Sequence, residues 1–234
     1  MSRAPALDDL LLTCEHGGNR VPRKYASLFA GATEMLDSHR GWDVGALPLA
    51  RLLEQQLGRP LYSTTWSRLF VEANRSPTNP KIWSEFTAHL PEHDRSRILE
   101  RWWRPHREEV EAAMAAATKR GSVVHVAVHS FTPVMNGEAR NADIGLLYDS
   151  RRKREGEFCA RWLDALRRAD PGLRVRCNYP YLGKADGLAT ALRKRYPESR
   201  YIGVELEINQ ALVGATGWKR FQQRIVDSLR EALS

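Results

Sequence analysis

Apolar runs of strand length alternate with segments of helical periodicity along this chain, which restricts it to an α/β sheet with helices on both faces. Leu10 to Cys14 reads as a buried strand. Val44 to Leu57 follows as a helix, with Val44, Leu47, Ala50, Leu53 and Leu57 at helical spacing and Asp43 at its start. Pro60 to Ser63 and Leu69 to Ala73 are both strand-like. After a Pro-, Asn- and Ser-rich loop at 76–84, the stretch from Pro91 to Thr118 is helical, with Pro105 forcing a kink or a boundary. Val123 to Val128 is β-branched and apolar, the character of a central strand. Ile144 to Tyr148, Val175 to Asn178 and Tyr201 to Ile208 are further strands, separated by helices near 153–168 and 186–195, and Phe221 to Leu233 is an amphipathic closing helix. No repeat, low-complexity tract or linker divides the sequence, so residues 1–234 are expected to form one domain.

No segment approaches the roughly 20 uninterrupted apolar residues that a spanning helix needs. The start, MSRAPALDDLLLTCEHGG, places two aspartates before a short apolar run, so no secretory signal is expected. Cys14, Cys159 and Cys177 are odd in number and far apart, which argues against a disulfide framework or a thiolate metal site and fits a reducing cytoplasm. The net charge of +8 suits an anionic partner. Its densest basic run, SRRKREGEF at 150–158, opens a helix whose apolar side carries Phe158, Trp162, Leu163 and Leu166, so those charges belong to a solvated face. No aromatic-interleaved basic stripe accompanies them, and nucleic acid is not the expected partner.

Four constellations carry chemistry. Glu15-His16-Gly17-Gly18-Asn19 puts ionisable groups just past a buried strand and before two glycines, at the carboxyl edge where open α/β sheets bind ligands. His125 and His129 lie on one face of a period-two strand, about 13 Å apart by strand rise. They cannot share one metal; His129, at the carboxyl end, is the functional candidate and His125 a core or supporting residue. In Tyr201 to Asn209 one face is apolar and the other carries Glu205 and Glu207, and buried carboxylates need a cation, a metal or a proton. Finally, Arg68, Glu72, Asn74 and Arg75 fall in one short segment, where Arg75 can grip a carboxylate with two parallel donors and Asn74 adds another.

Taken in chain order, EHGGNRVP at 15–22, RGWDVGA at 40–46, SRLFVEANR at 67–75, RPH at 104–106, VHS at 128–130, ADIGL at 142–146, NYPYLG at 178–183 and ELEIN at 205–209 resemble the N-formylglutamate amidohydrolase family. That family is similar in architecture to the zinc carboxypeptidases and aspartoacylases. The resemblance implies a three-layer αβα sandwich around a central mixed sheet, of the phosphorylase/hydrolase-like kind. It implies one zinc ion, or another divalent metal, held by His16, His129 and a carboxylate, with Glu207 as the acid/base. For the third ligand, Asp43 follows the family's pattern of an aspartate before the next helix, with Asn19 and Glu15 as the alternatives. Asn74 and Arg75 are implied as the carboxylate-binding pair, Arg68 as a second cation, and His106 as a substrate contact or a partner of a ligand. Tyr179, Tyr181 and Gly183 are implied as a pocket wall. The implied substrate is a small anionic N-acyl amino acid, N-formyl-L-glutamate first, with other N-acyl amino acids or short peptides as alternatives. A non-catalytic α/β binding protein, associated with nucleic acid, is the competing class.

Overall fold

The computed structural model describes residues 9–234, so the expectation about a signal segment at the start lies outside the described residues. In chain order the strands are β1 (Asp9–Cys14), β2 (Leu61–Ser63), β3 (Val123–Phe131), β4 (Val134–Met135), β5 (Glu138–Ala139), β6 (Ile144–Leu147), β7 (Val175–Cys177) and β8 (Tyr201–Asn209). The α-helices are α1 (Thr33–Asp37), α2 (Ala46–Leu57), α3 (Glu92–Ile98), α4 (Arg104–Arg120), α5 (Lys153–Ala169), α6 (Leu188–Arg195) and α7 (Trp218–Leu233). Six strands make one sheet in the order β2-β1-β3-β8-β6-β7. All neighbours are parallel except β6 and β8, so the sheet is mixed; β4 and β5 form a small antiparallel hairpin apart from it.

The period-two geometry of the strands sorts their side chains into two layers. Leu10, Leu12, Val124, Val126, Val128, Ile202, Val204, Leu206 and Ile208 pack with α2, α5 and α7 in the largest apolar cluster. Leu11, Val123 and Tyr201 turn the other way, onto α4 and α6. The sheet is therefore sandwiched between two helical layers, as the alternation of runs implied. A third cluster lies beside the sandwich, where Tyr25 and Phe29 of a 3-10 helix meet Leu69, Phe70, Val71, Ile82 and Ile98.

Two local readings change. Leu69 to Ala73 is not a strand: the Ser67 hydroxyl donates to Gly41 O at 3.0 Å and accepts from Leu69 N at 3.2 Å, bending the chain so that the apolar side chains enter the third cluster. The run is apolar because it is buried, not because it pairs. Nor does Asp43 open α2, which begins at Ala46 after Gly45 at φ 83°. A Cβ on Gly45 would stand 2.5 Å from Val213 Cγ2, so both backbone angle and space call for glycine. Between α3 and α4 the chain forms a π-helical turn, Leu99–Trp103, and Pro105 sits in the first turn of α4, as expected of a residue with no N–H to give.

The basic run at 150–158 keeps Arg151 and Lys153 on the solvated face and turns Arg152 and Arg154 toward the rest of the fold. Arg151 pairs with Asp149, Arg152 donates to the Tyr196 and Tyr201 carbonyls, and Arg154 donates to Ser199 O. No helix among the described residues is long and apolar enough to cross a membrane.

Candidate active site

The site forms where the strands end. Parallel pairing sets His129 of β3 beside Glu207 of β8, and the alternation that buries Val128 and Leu206 in the large cluster turns both ionisable side chains to the other face. His16 lies two residues past the end of β1. Asp43 is brought to it by the backbone, its N–H donating to His16 O at 3.0 Å. α4 ends just before β3 begins, so it runs against the strand direction and its first turn lies at the carboxyl edge too.

Three buried atoms converge there. His16 Nδ1 is 3.2 Å from Asp43 Oδ2 and 3.2 Å from His129 Nδ1, and His129 Nδ1 is 2.9 Å from Asp43 Oδ2. Ligands at the usual tetrahedral bond length of a zinc site stand about 3.3 Å apart, so this triangle has the edge of a metal site. The far nitrogens are backed by carboxylates. His16 Nε2 bonds Glu72 Oε1, while His129 Nε2 faces Glu15 Oε2 at 3.0 Å. Carboxylates behind the histidines favour Nε2–H tautomers and leave the Nδ1 lone pairs bare. Two imidazole lone pairs and a carboxylate oxygen then point at one another with no proton between them, an arrangement that a cation resolves.

The charges agree. Burial works against ionising Glu15, Asp43 and Glu72, but their histidine and arginine partners outweigh it and hold all three well below the usual carboxylate range. Arg68 is the matching cation: it donates to Glu72 Oε2 at 2.9 Å and to Asp43 Oδ1 at 3.1 Å. Three negative charges against one positive leave room for a divalent ion. Burial pulls the His16 and His129 pKa values down, yet the surrounding carboxylates win and raise both, so protons compete for the same nitrogens.

Beside this triangle is a pocket lined by Asn74, Arg75, Ser130, Tyr181, Leu182, Asp186, Glu205 and Glu207 as well as the three ligand candidates and Arg68. Glu207 Oε2 is buried there without a hydrogen-bond partner. Burial pushes its pKa up, with Asp43 and Glu205 adding to the shift against the pull of His129, to about 8. Asn74 accepts from Leu188 N at 2.7 Å through Oδ1, leaving its amide donors for the pocket. Arg75 donates to the Asp186 carbonyl.

The sequence-picked residues separate under this geometry. His16, Asp43, His129, Glu207, Asn74, Arg75 and Arg68 share one pocket. Asn19 is not near the triangle, since its Nδ2 donates to Asp37 Oδ1 at 2.7 Å, and Glu15 stands behind His129 instead of in front of it. Arg68, read as a second anchor for substrate, has its charge committed to Asp43 and Glu72. His106 is off the pocket wall: it is buried with its Nε2 3.7 Å from Glu15 Oε1. Of the residues read as a wall, Tyr181 lines the pocket, whereas the Tyr179 hydroxyl accepts from Asn141 N and Gly183 packs against Tyr148, where a Cβ would meet the backbone at 2.1 Å. His125 bonds Thr13 Oγ1 at 2.8 Å and Tyr201 OH at 2.7 Å, a buried structural residue. Glu72, the partner of His16, had no role assigned from sequence. An acid inside the apolar run LFVEA was the available signal.

Comparison with known proteins places the architecture. The N-formylglutamate amidohydrolase family model matches residues 8–213. The chain is similar to a gene product of Agrobacterium tumefaciens, with 31% identity and a TM-score of 0.80 over 97% of this chain and 91% of that one. It also shares its fold with an N-formylglutamate amidohydrolase of Ralstonia eutropha, at 20% identity and a TM-score of 0.69 over 98% and 94% of the two chains. The search of curated proteins returned no significant match. With the family matched across most of its length and the sandwich fold in place, the chain belongs to the N-formylglutamate amidohydrolase family.

Proposed function

We propose that this amidohydrolase is metal-dependent and cleaves the amide of a small anionic N-acyl amino acid, N-formyl-L-glutamate being the first candidate, with formate and L-glutamate as products. The observation that carries the reading is the convergence of His16 Nδ1, Asp43 Oδ2 and His129 Nδ1 with carboxylates behind both rings. Two nitrogens and one oxygen suit zinc, and other divalent first-row ions take the same donors. When bound, such an ion supplies Lewis-acid polarisation of the carbonyl and lowers the pKa of water toward neutrality.

The remaining work falls to side chains. Glu207, unpartnered at Oε2 and made a stronger base by burial, takes the proton of the attacking water as its oxygen bonds the carbonyl carbon. It returns that proton to the nitrogen as the C–N bond breaks. Arg75 and the Asn74 amide anchor a substrate carboxylate, and Arg68, on the same pocket wall, holds Asp43 and Glu72 in register.

Formate release from N-formyl-L-glutamate, measured alongside a panel of N-formyl and N-acyl amino acids, tests this reading. Turnover of at least one acidic member is expected, lost with a chelator and regained with zinc. Hydrolysis indifferent to chelation, or no hydrolysis by the metal-reconstituted protein, would refute it.

A further inference from the structure

The two histidines of the triangle are backed unequally. Glu72, behind His16, is itself held by Arg68 and by Asn74 N at 3.0 Å. Glu15, behind His129, is fully buried and has neither an arginine nor a backbone N–H; its neighbours are His129 Nε2 at 3.0 Å on one oxygen and His106 Nε2 at 3.7 Å on the other. The first contact is off the hydrogen-bond line and the second is too long for one. Of eight buried side-chain polar atoms that lack a partner among the described residues, five belong to this group: both Glu15 oxygens, both His106 ring nitrogens and His129 Nε2. Polar atoms elsewhere in the interior are almost all paired, so the mismatch is concentrated at one place.

The element that carries His106 is built for placement. The π-helical turn Leu99–Trp103 ends immediately before α4, and such turns recur at functional sites. In the first turn of α4, Arg107 donates to Ala73 O at 2.9 Å and Arg75 O at 3.1 Å, and at the end of the π-helical turn Trp103 Nε1 donates to Arg75 O at 3.1 Å. The start of α4 thus grips the backbone around Glu72 and Arg75 on one side and faces Glu15 on the other.

We propose that His106 is a positioning residue for the metal centre: its Nε2–H donates to Glu15, which in turn fixes His129 as the Nε2–H tautomer with Nδ1 toward the ion. This rests on the metal-dependent reading above. Support of this kind is worth about 10- to 100-fold in metal affinity.

The test is Zn²⁺ affinity of the metal-free full chain, measured by competition with a chromophoric chelator, for wild type, His106→Leu and His106→Gln. Glutamine can place a donor near the Nε2 position. His106→Leu is expected to bind about tenfold or more weakly, with His106→Gln recovering most of the loss at unchanged or lower stability. Equal affinity of His106→Leu and wild type overturns the proposal, as does equal weakening in both variants. Ring ¹⁵N shifts of the zinc-loaded wild type read the same point without a variant: protonated Nε2 on His106 and His129 is expected, and a bare Nε2 on either overturns it. A wild type that takes up no Zn²⁺ would instead refute the metal-dependent reading on which the proposal stands.

Discussion

His125 and His129 occupy the same face of β3, one in its amino-terminal half and one near its carboxyl end, and their surroundings differ in kind. His125 meets two neutral hydroxyls, Thr13 and Tyr201, and burial pushes its pKa down to about 4. His129 meets two carboxylates, Asp43 and Glu15, which raise its pKa against the same burial. The middle of the sheet is covered by α4 and α6, so a polar group there must be satisfied by what the fold itself provides, in neutral form. At the carboxyl edge the cover gives way to loops, and charges gathered from distant parts of the chain find room beside a pocket. The same residue type is structural in one place and chemical in the other because of where the helical layer ends.

The sharpest way to probe the edge is Glu207→Gln. Turnover is expected to fall about 10²- to 10⁴-fold, the range for loss of a general acid/base, with the metal still bound. Near-normal activity would remove Glu207 from that role. Next comes Glu72→Gln, which weakens the carboxylate behind His16; metal affinity is expected to drop about 10- to 100-fold, read by chelator competition, and an unchanged value would show that His16 is oriented by something else.

The amino-terminal half of the strand should respond differently. His125→Leu leaves the Thr13 and Tyr201 hydroxyls unpaired and is expected to cost about 1–3 kcal/mol in denaturant unfolding while metal affinity stays as in wild type. A parallel loss of metal binding would break the contrast between the two histidines. The folded His125 binds its proton less readily than the unfolded one, so its contribution is fully present above pH 6.5 and fades as pH falls toward about 4. The stability gap between wild type and His125→Leu should narrow across that window.

Much of this was legible in the sequence because buried parallel strands read as apolar runs, and a site at the carboxyl edge needs only the order of those runs. His129, Glu207 and His16 could be picked that way. Asp43 could be picked only through the family resemblance, since its local pattern is that of a helix start; the backbone contact to His16 is what sets it at the edge. Leu69 to Ala73 misled because burial against Tyr25 and Ile98 makes a run as apolar as pairing does. The bend that shows the difference comes from a hydroxyl contact to Gly41, 26 residues away. The ion pairs of Arg68 were hidden because Asp43, one of its two partners, lies 25 residues distant. Long-range partners of charged groups are what a local pattern does not carry.

The most direct measurement is the divalent metal content of the purified chain, compared with His129→Ala after equal exposure to zinc. One ion per wild-type chain and none held stoichiometrically by the variant is the expected result. A wild type without a stoichiometric ion, or a variant that keeps it, would contradict a metal centre built on His16, Asp43 and His129.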